Sequence, residues 1–299
     1  MTAEQTGELA ALGTALLWTL STLAWTSAGR HVGATAVCFV RLVLAAALLV
    51  AYGGLLRGQW WPADVPAETW VVLGVSGIAG FFLADLFVFK AFLLIGPRLT
   101  LLLQSFTPPL AAQFSWLLLG DRLYAWQWLA MGVTLAGVVW VVLEQPDGAG
   151  DAHDSRRIAQ GIALAVLGAA VAAIALVLSK KGIGDLDPAA ATFIRVLGGI
   201  AGMVPLVTAS RRWPSVVDTI RHPRAVPMIV VGTLLGPFLG VILYMIAVRH
   251  CAAGVVSTII STMPVLILPC VIVLYREKVS LRAAGGAVLS VVGVALLML

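Results

Sequence analysis

Charge is what this 299-residue chain has least of: 19 basic and 14 acidic side chains make up only 11% of it. Soluble domains carry about 25% charged residues, because a compact globule needs a polar skin. So few charges cannot cover 31.3 kDa of protein, which excludes a soluble fold. Cysteine is also scarce. Cys38, Cys251 and Cys270 form no C-x-x-C pair, which excludes a disulfide framework and a thiolate metal site. The four histidines (His31, His153, His222 and His250) fall in loops or at helix ends, and there is no H-E-x-x-H, no G-x-S-x-G and no Gly-Lys dipeptide. Without a nucleophile, base or metal set, neither an enzyme nor a cofactor or metal is expected. The net charge of +5 is small and scattered, so no nucleic-acid surface is expected. The first apolar run lacks a basic flank and reads as a span, not as a cleaved leader.

Apolar residues are abundant. They make up 61% of the chain, and the mean hydropathy is +1.02. A spanning helix needs about 20 apolar residues, because an unsatisfied backbone group in hydrocarbon costs several kcal/mol. Ten such stretches fit, at 8–28, 34–56, 70–94, 98–119, 124–143, 158–180, 188–209, 226–248, 253–274 and 280–298. The expectation is an all-α polytopic membrane protein. One stretch reads as a linker, with Glu144, Asp147, Asp151 and Asp154 around Gly148 and Gly150, and it divides the chain into residues 1–145, 146–157 and 158–299.

The two halves resemble each other. Phe39-Val40-Arg41-Leu42 aligns with Phe193-Ile194-Arg195-Val196 at an offset of 154, and Gly80-Phe81-Phe82-Leu83 with Gly236-Pro237-Phe238-Leu239 at 156. The second offset also sets Pro108 on Pro264, Asp121-Arg122 on Glu277-Lys278 and Gly137 on Gly293. Five spans per unit is an odd number, so the second copy enters from the opposite side. Two inverted five-helix repeats are a transporter architecture, since halves of nearly equal energy can exchange conformations.

Basic residues set the expected sidedness. Loops after the odd-numbered spans hold Arg30, Arg98, Arg156, Arg157, Arg211, Arg212, Arg221, Arg224, Arg276, Lys278 and Arg282, against Arg57, Arg122, Lys180, Lys181 and Arg249 on the other side. This bias places both termini outside the cytoplasm.

Charges at bilayer depth cost at least about 2.5–3.5 kcal/mol near a helix centre and mark function or snorkelling. Four occur here. Arg41 and Arg195 are repeat mates, whereas Asp85 is mated with Val241, so the carboxylate breaks the pseudo-symmetry. Asp85 can receive an ammonium group or take up a proton, or pair with Arg41 or Lys90. Lys90 lies about 140° around the helix from it and shares no face with it.

Pro108 and Pro264 fall near the centres of the fourth and ninth spans, and interrupted helices at matching depth point to a midplane site. Gln104, Ser105 and Thr107 precede the first, and Ser257, Ser261 and Thr262 the second. These hydroxyls and the amide suit either a solute or interhelical hydrogen bonds. Trp60, Trp61, Trp70, Trp126, Trp128 and Trp213 read as interface anchors. Trp18, mid-way along the first span, reads as a cavity wall.

Phe39 to Leu42, Lys90 to Gly120-Asp121, and Gly132 to Val142 together resemble the repeat of the drug/metabolite transporter superfamily, in its ten-span EamA branch. That repeat has an aromatic-x-Arg early in its second span, a mid-span proline in its fourth, and an acidic residue before its fifth. Asp121 stands where the pattern usually has Glu. The resemblance covers both halves and implies a carrier in the bacterial inner membrane that exports amino acids, aromatic ones in particular, or drugs and other metabolites. It also implies that spans 1–4 and 6–9 line a central cavity with spans 5 and 10 peripheral. Lacking an ATP-binding loop, such a carrier is gradient-driven. The expected partners are a small solute and the bilayer, with the chain monomeric. The expected lining is Trp18, Phe39, Arg41, Phe82, Asp85, Gln104, Thr107, Phe193, Arg195, Tyr244, Ser257 and Ser261. Pro108, Pro264, Pro237, Gly80 and Gly236 are the expected hinges.

Overall fold

The computed structural model describes residues 2–58, 61–62, 64–144, 155–263, 265–266 and 281–297, and these are helical with no strand among them. The first half contains α1 (Ala3–Val32), α2 (Ala34–Arg57), α3 (Ala67–Gly77), a π-helical segment (Ile78–Ala84), α4 (Asp85–Gln104), α5 (Thr107–Leu119) and α6 (Ala125–Glu144). The second contains α7 (Ser155–Ile183), α8 (Pro188–Ala209), α9 (Trp213–Arg221), α10 (Ala225–Thr233), a second π-helical segment (Leu234–Gly240), α11 (Val241–His250), α12 (Ala253–Ile260) and α13 (Leu281–Leu297). Among the described residues, six stretches are long and apolar enough to cross a membrane, and Ala125–Val141 and Ala284–Leu296 are shorter apolar helices. α7 begins at Ser155, inside the expected linker; residues 145–154 lie outside the described residues.

Local chemistry sets the helix ends. Thr2 and Gln5 form a reciprocal capping box at the start of α1, with side-chain to backbone distances of 3.2 and 3.0 Å. Asp187 accepts from the Ala189 and Ala190 amides, and Pro188 supplies a fixed φ at the first turn of α8. Gly120 ends α5 at φ +74°, a left-handed conformation that glycine adopts without a Cβ penalty. Outside, large apolar side chains such as Leu117, Leu118, Leu129 and Val288 stand exposed. In water such a surface would aggregate; against lipid it costs nothing.

The chain doubles back within α4. A methyl group on Gly168 would meet Val88 at 3.0 Å and Gln104 at 3.4 Å, yet sixteen residues of straight helix span about 24 Å. Gly161, two turns back along α7, lies against Ile95. The reversal therefore falls near Ile95, whose repeat mate Cys251 lies in the non-helical turn between α11 and α12. The segments on either side of Ile95 thus both pack on α7.

The repeats interleave. α1 packs on α10 and α11 of the second half, and α7 packs reciprocally on α3 and α4 of the first. α2 pairs with α8, and α6 with α13. Missing side chains permit the closest crossings: a Cβ on Gly77 would sit 1.9 Å from the Arg195 carbonyl oxygen, and one on Gly198 2.2 Å from that of Gly74.

Candidate functional site

The two π-helical segments are the first clue to the site. Ile78–Ala84 and Leu234–Gly240 are repeat mates over their full length, at the offset of 156. Only the second contains proline (Pro237), so proline is not the common cause. Such i→i+5 turns recur at functional sites, because they shift the helix face that follows. Here each brings a glycine to the centre. Gly80 makes room for the Arg195 guanidinium, whose Nη2 would lie 3.3 Å from an added Cβ, and Gly236 makes room for the Trp25 ring at 2.5 Å.

Between the halves lies a cavity of about 410 Å³. Ligand pockets run from about 300 to 1,000 Å³. The wall is built from repeat-equivalent positions: Trp18 faces with Ala172, Thr22 with Leu176, Arg41 with Arg195, Gly80 with Gly236, and Phe81 with Pro237. Asp85 matches Val241, Val88 matches Tyr244, and Gln104, Ser105 and Thr107 match Ile260, Ser261 and Met263. Positions are shared more widely than chemistry: Arg41/Arg195, Gly80/Gly236 and Ser105/Ser261 are identical, and the other pairs differ. Duplication accounts for the equivalent positions of the lining, which differ in residue type at most pairs.

The charged groups are arranged unequally. Arg41 on α2 forms an ion pair with Asp85, which opens α4 directly after the π-helical turn. Arg41 is 8% exposed overall, and its guanidinium carbon lies 4.3 Å from the Trp25 ring centroid. The Asp85 side chain keeps 36% exposure and so opens on the cavity. Arg195 is 4% exposed and has no carboxylate partner among the described residues. Its guanidinium carbon lies 5.1 Å from the Phe81 centroid and 5.0 Å from that of Tyr244, both within cation–π range. Its Nε has no hydrogen-bond partner, nor has that of Arg41.

The neutral polar groups are largely committed. Gln104 donates to the Ala165 carbonyl at 2.8 Å, and Thr22 and Ser261 donate back to Trp18 and Thr258 one turn earlier at 2.8 and 2.7 Å. With their donors spent on backbone, these hydroxyls present acceptor lone pairs.

Of the expected lining, Trp18, Arg41, Asp85, Gln104, Thr107, Arg195, Tyr244, Ser257 and Ser261 converge on the cavity. Trp18 stacks on Tyr244 with centroids 5.6 Å apart. Three aromatics lie elsewhere. Phe39 and Phe193 each precede their arginine by two residues, about 200° around the helix, and so face outward from it. Phe39 packs edge-on against Trp213, and Phe193 against Trp61. Phe82 is turned to Gly202, while its neighbour Phe81 takes the cavity. Lys90 is exposed.

Gly80, Gly236 and Pro237 line the cavity inside the π-helical turns. Pro108 is not a kink within a continuous helix: α4 ends at Gln104, and Pro108 stands in the first turn of α5, where its missing N–H is tolerated. Pro264 lies outside the described residues. α6 is not wholly peripheral, since Val138 reaches the wall. Trp25 escaped notice in the sequence, although it follows Trp18 by seven residues and so shares its helix face.

A helical membrane protein with two interleaved repeats around a central hollow is the architecture of a transporter. The profile of the EamA-like transporter family matches residues 5–143 and 159–299, one copy per half. The chain belongs to that family, within the drug/metabolite transporter superfamily, and is a multi-pass membrane transporter. No curated protein matches it. Among solved structures, one titled only "Crystal structure of protein" is similar with a TM-score of 0.76 and 21% identity, covering 97% of this chain and 95% of its own. That likeness concerns the fold.

Proposed function

We propose that the chain is a secondary carrier of ten crossings, in the bacterial inner membrane, that exports small amphipathic metabolites by alternating access. Amino acids with aromatic or large apolar side chains are the foremost candidates. The observation that carries this reading is the 410 Å³ cavity lined at equivalent positions by both repeats. A site formed equally by two related halves stays in place while the halves rock about it. The helix breaks at Ser105 and Ser261, both on the wall, supply the polar backbone that a midplane site needs. Trp18, Trp25, Phe81 and Leu176 offer the apolar surface on which a hydrophobic body is held. A passive pore would carry a ring of like groups, whereas this wall is mixed and unequal from side to side.

Counterflow in proteoliposomes tests the reading. Liposomes preloaded with unlabelled phenylalanine should accumulate the labelled compound transiently and saturably. Linear, non-saturable flux would identify a channel instead, and no flux of any aromatic metabolite tried would remove the assigned solute class.

A further inference from the structure

Arg41 is neutralised inside the protein, whereas Arg195 has no carboxylate partner among the described residues. Arg41 has Asp85; at the position equivalent to Asp85 the second half has Val241. Among the described residues, the charged side chains on the cavity wall are therefore two guanidinium groups and one carboxylate, a surplus of one positive charge. That surplus resides on Arg195, buried, with Nε unpartnered, the Phe81 and Tyr244 rings against its guanidinium, and the neutral Tyr244 side chain as a hydrogen-bond partner in place of a carboxylate. An arginine held at this depth without a counter-ion is unfavourable unless something anionic visits it. Snorkelling to an interface does not account for it, since the guanidinium is enclosed by Gly80, Phe81 and Tyr244 at the cavity's own wall.

We propose that Arg195 receives the carboxylate of the transported solute, so that the carrier takes monoanions or zwitterions with an apolar body and rejects cations of the same size. The inference rests on the carrier reading above and sharpens it. The planar guanidinium presents its N–H groups in a fork that matches a carboxylate. Trp18, stacked on Tyr244, then lies beside the anion site where an aromatic body would rest. The amine of an amino acid is not required by this arrangement. Where present, it meets the hydroxyl oxygens of Thr22 and Ser261, whose donors are already used.

The test is equilibrium binding to the purified full chain in lipid nanodiscs, with phenylalanine, 3-phenylpropanoate and 2-phenylethylamine near neutral pH. The two carboxylates should bind and raise the melting temperature, and the amine should not. Arg195→Gln should weaken carboxylate binding on the order of 100-fold, the usual scale for removing one partner of a buried charge pair. Arg195→Lys, which keeps the charge but not the fork, should recover part of it. Val241→Asp tests the same point without touching the arginine: it supplies the missing internal carboxylate and should abolish binding of 3-phenylpropanoate. If 2-phenylethylamine binds wild type as tightly as the carboxylates, or Arg195→Gln and Val241→Asp bind them unchanged, Arg195 is not the anion receptor and the carrier reading stands. If none of the three compounds binds wild type, the assignment of this cavity to aromatic solutes falls with it.

Discussion

Asp85 and Val241 occupy equivalent positions on opposite sides of one cavity, and only Asp85 neutralises an arginine. Most of the lining is shared in position between the halves, and this pair is where the two sides differ in charge.

The Arg41–Asp85 pair makes the first prediction. Removing one partner of a buried pair leaves the other charge uncompensated, whereas removing both does not. Asp85→Asn should lower stability by about 2–4 kcal/mol, at the lower end for buried pairs because Asp85 opens on the cavity. The double variant with Arg41→Gln should recover at least half of that. Thermal unfolding of the four proteins of the cycle measures the coupling. Additive effects would mean that the pair is not an energetic unit. Asp85→Asn should also abolish or uncouple transport, and wild-type rates across pH would remove Asp85 from the mechanism.

Gly74 and Gly77, one turn apart on α3, should respond oppositely to alanine. At Gly77 the new Cβ would sit 1.9 Å from the Arg195 carbonyl, and backbone cannot step aside as a side chain can. Gly77→Ala should cost about 3 kcal/mol, at the upper end for overpacking, and displace Arg195 from the wall. Nothing stands within 4 Å of a Cβ at Gly74, so Gly74→Ala should change stability by less than about 1 kcal/mol. Equal melting temperatures for the two variants would refute the close crossing of α3 and α8.

Trp18→Ala removes the ring that stacks on Tyr244. An aromatic pair adds about 0.5–1.5 kcal/mol beyond its buried area. Affinity for aromatic solutes should fall roughly tenfold, while small aliphatic solutes are affected less. The ratio of the two affinities, measured by competition, decides the matter; a uniform loss would place Trp18 in the scaffold.

Cys251 lies in the turn after α11, donating to the Glu4 carbonyl at 3.4 Å. Burial, with the Glu8 and Glu4 carboxylates nearby, pushes its thiol up to about 12. Thiolate is the reactive form, so a raised pKa withholds it until the pH approaches that value. At pH 8 roughly one molecule in 10⁴ is ionised there, against about a quarter for an ordinary thiol. Maleimide should leave Cys251 unmodified at pH 8 in the folded protein and label it after unfolding, read by peptide mass spectrometry. Equal labelling rates in the two states would mean that the turn is open.

On the charge count over loops, both termini are expected outside the cytoplasm. A reporter active only in the cytoplasm, fused after Leu299, should stay silent. Activity there would reverse the assignment.

The local patterns that survived into the structure are those that depend on a few neighbouring residues. Phe-x-Arg at 39–41 and 193–195 located both arginines, and Gly80 and Gly236 marked the two π-helical turns. Phe82 turns to Gly202 and Phe81 takes the wall inside an i→i+5 turn, which shifts the phase of the helix in a way that a 3.6-residue period does not foresee. Phe39 and Phe193 failed for a plainer reason: residues two apart on a helix face opposite ways, and the arginines took the cavity.

The chain alone determined its solvent, its duplication and its polar exceptions, because hydropathy and repeated motifs are written in consecutive residues. Tertiary structure alone decided that Asp85 satisfies Arg41 and that Arg195 has no carboxylate partner among the described residues. The physical reason is the interleaving of the halves: α1 packs on the second repeat and α7 on the first, so each wall is built by residues more than a hundred positions apart.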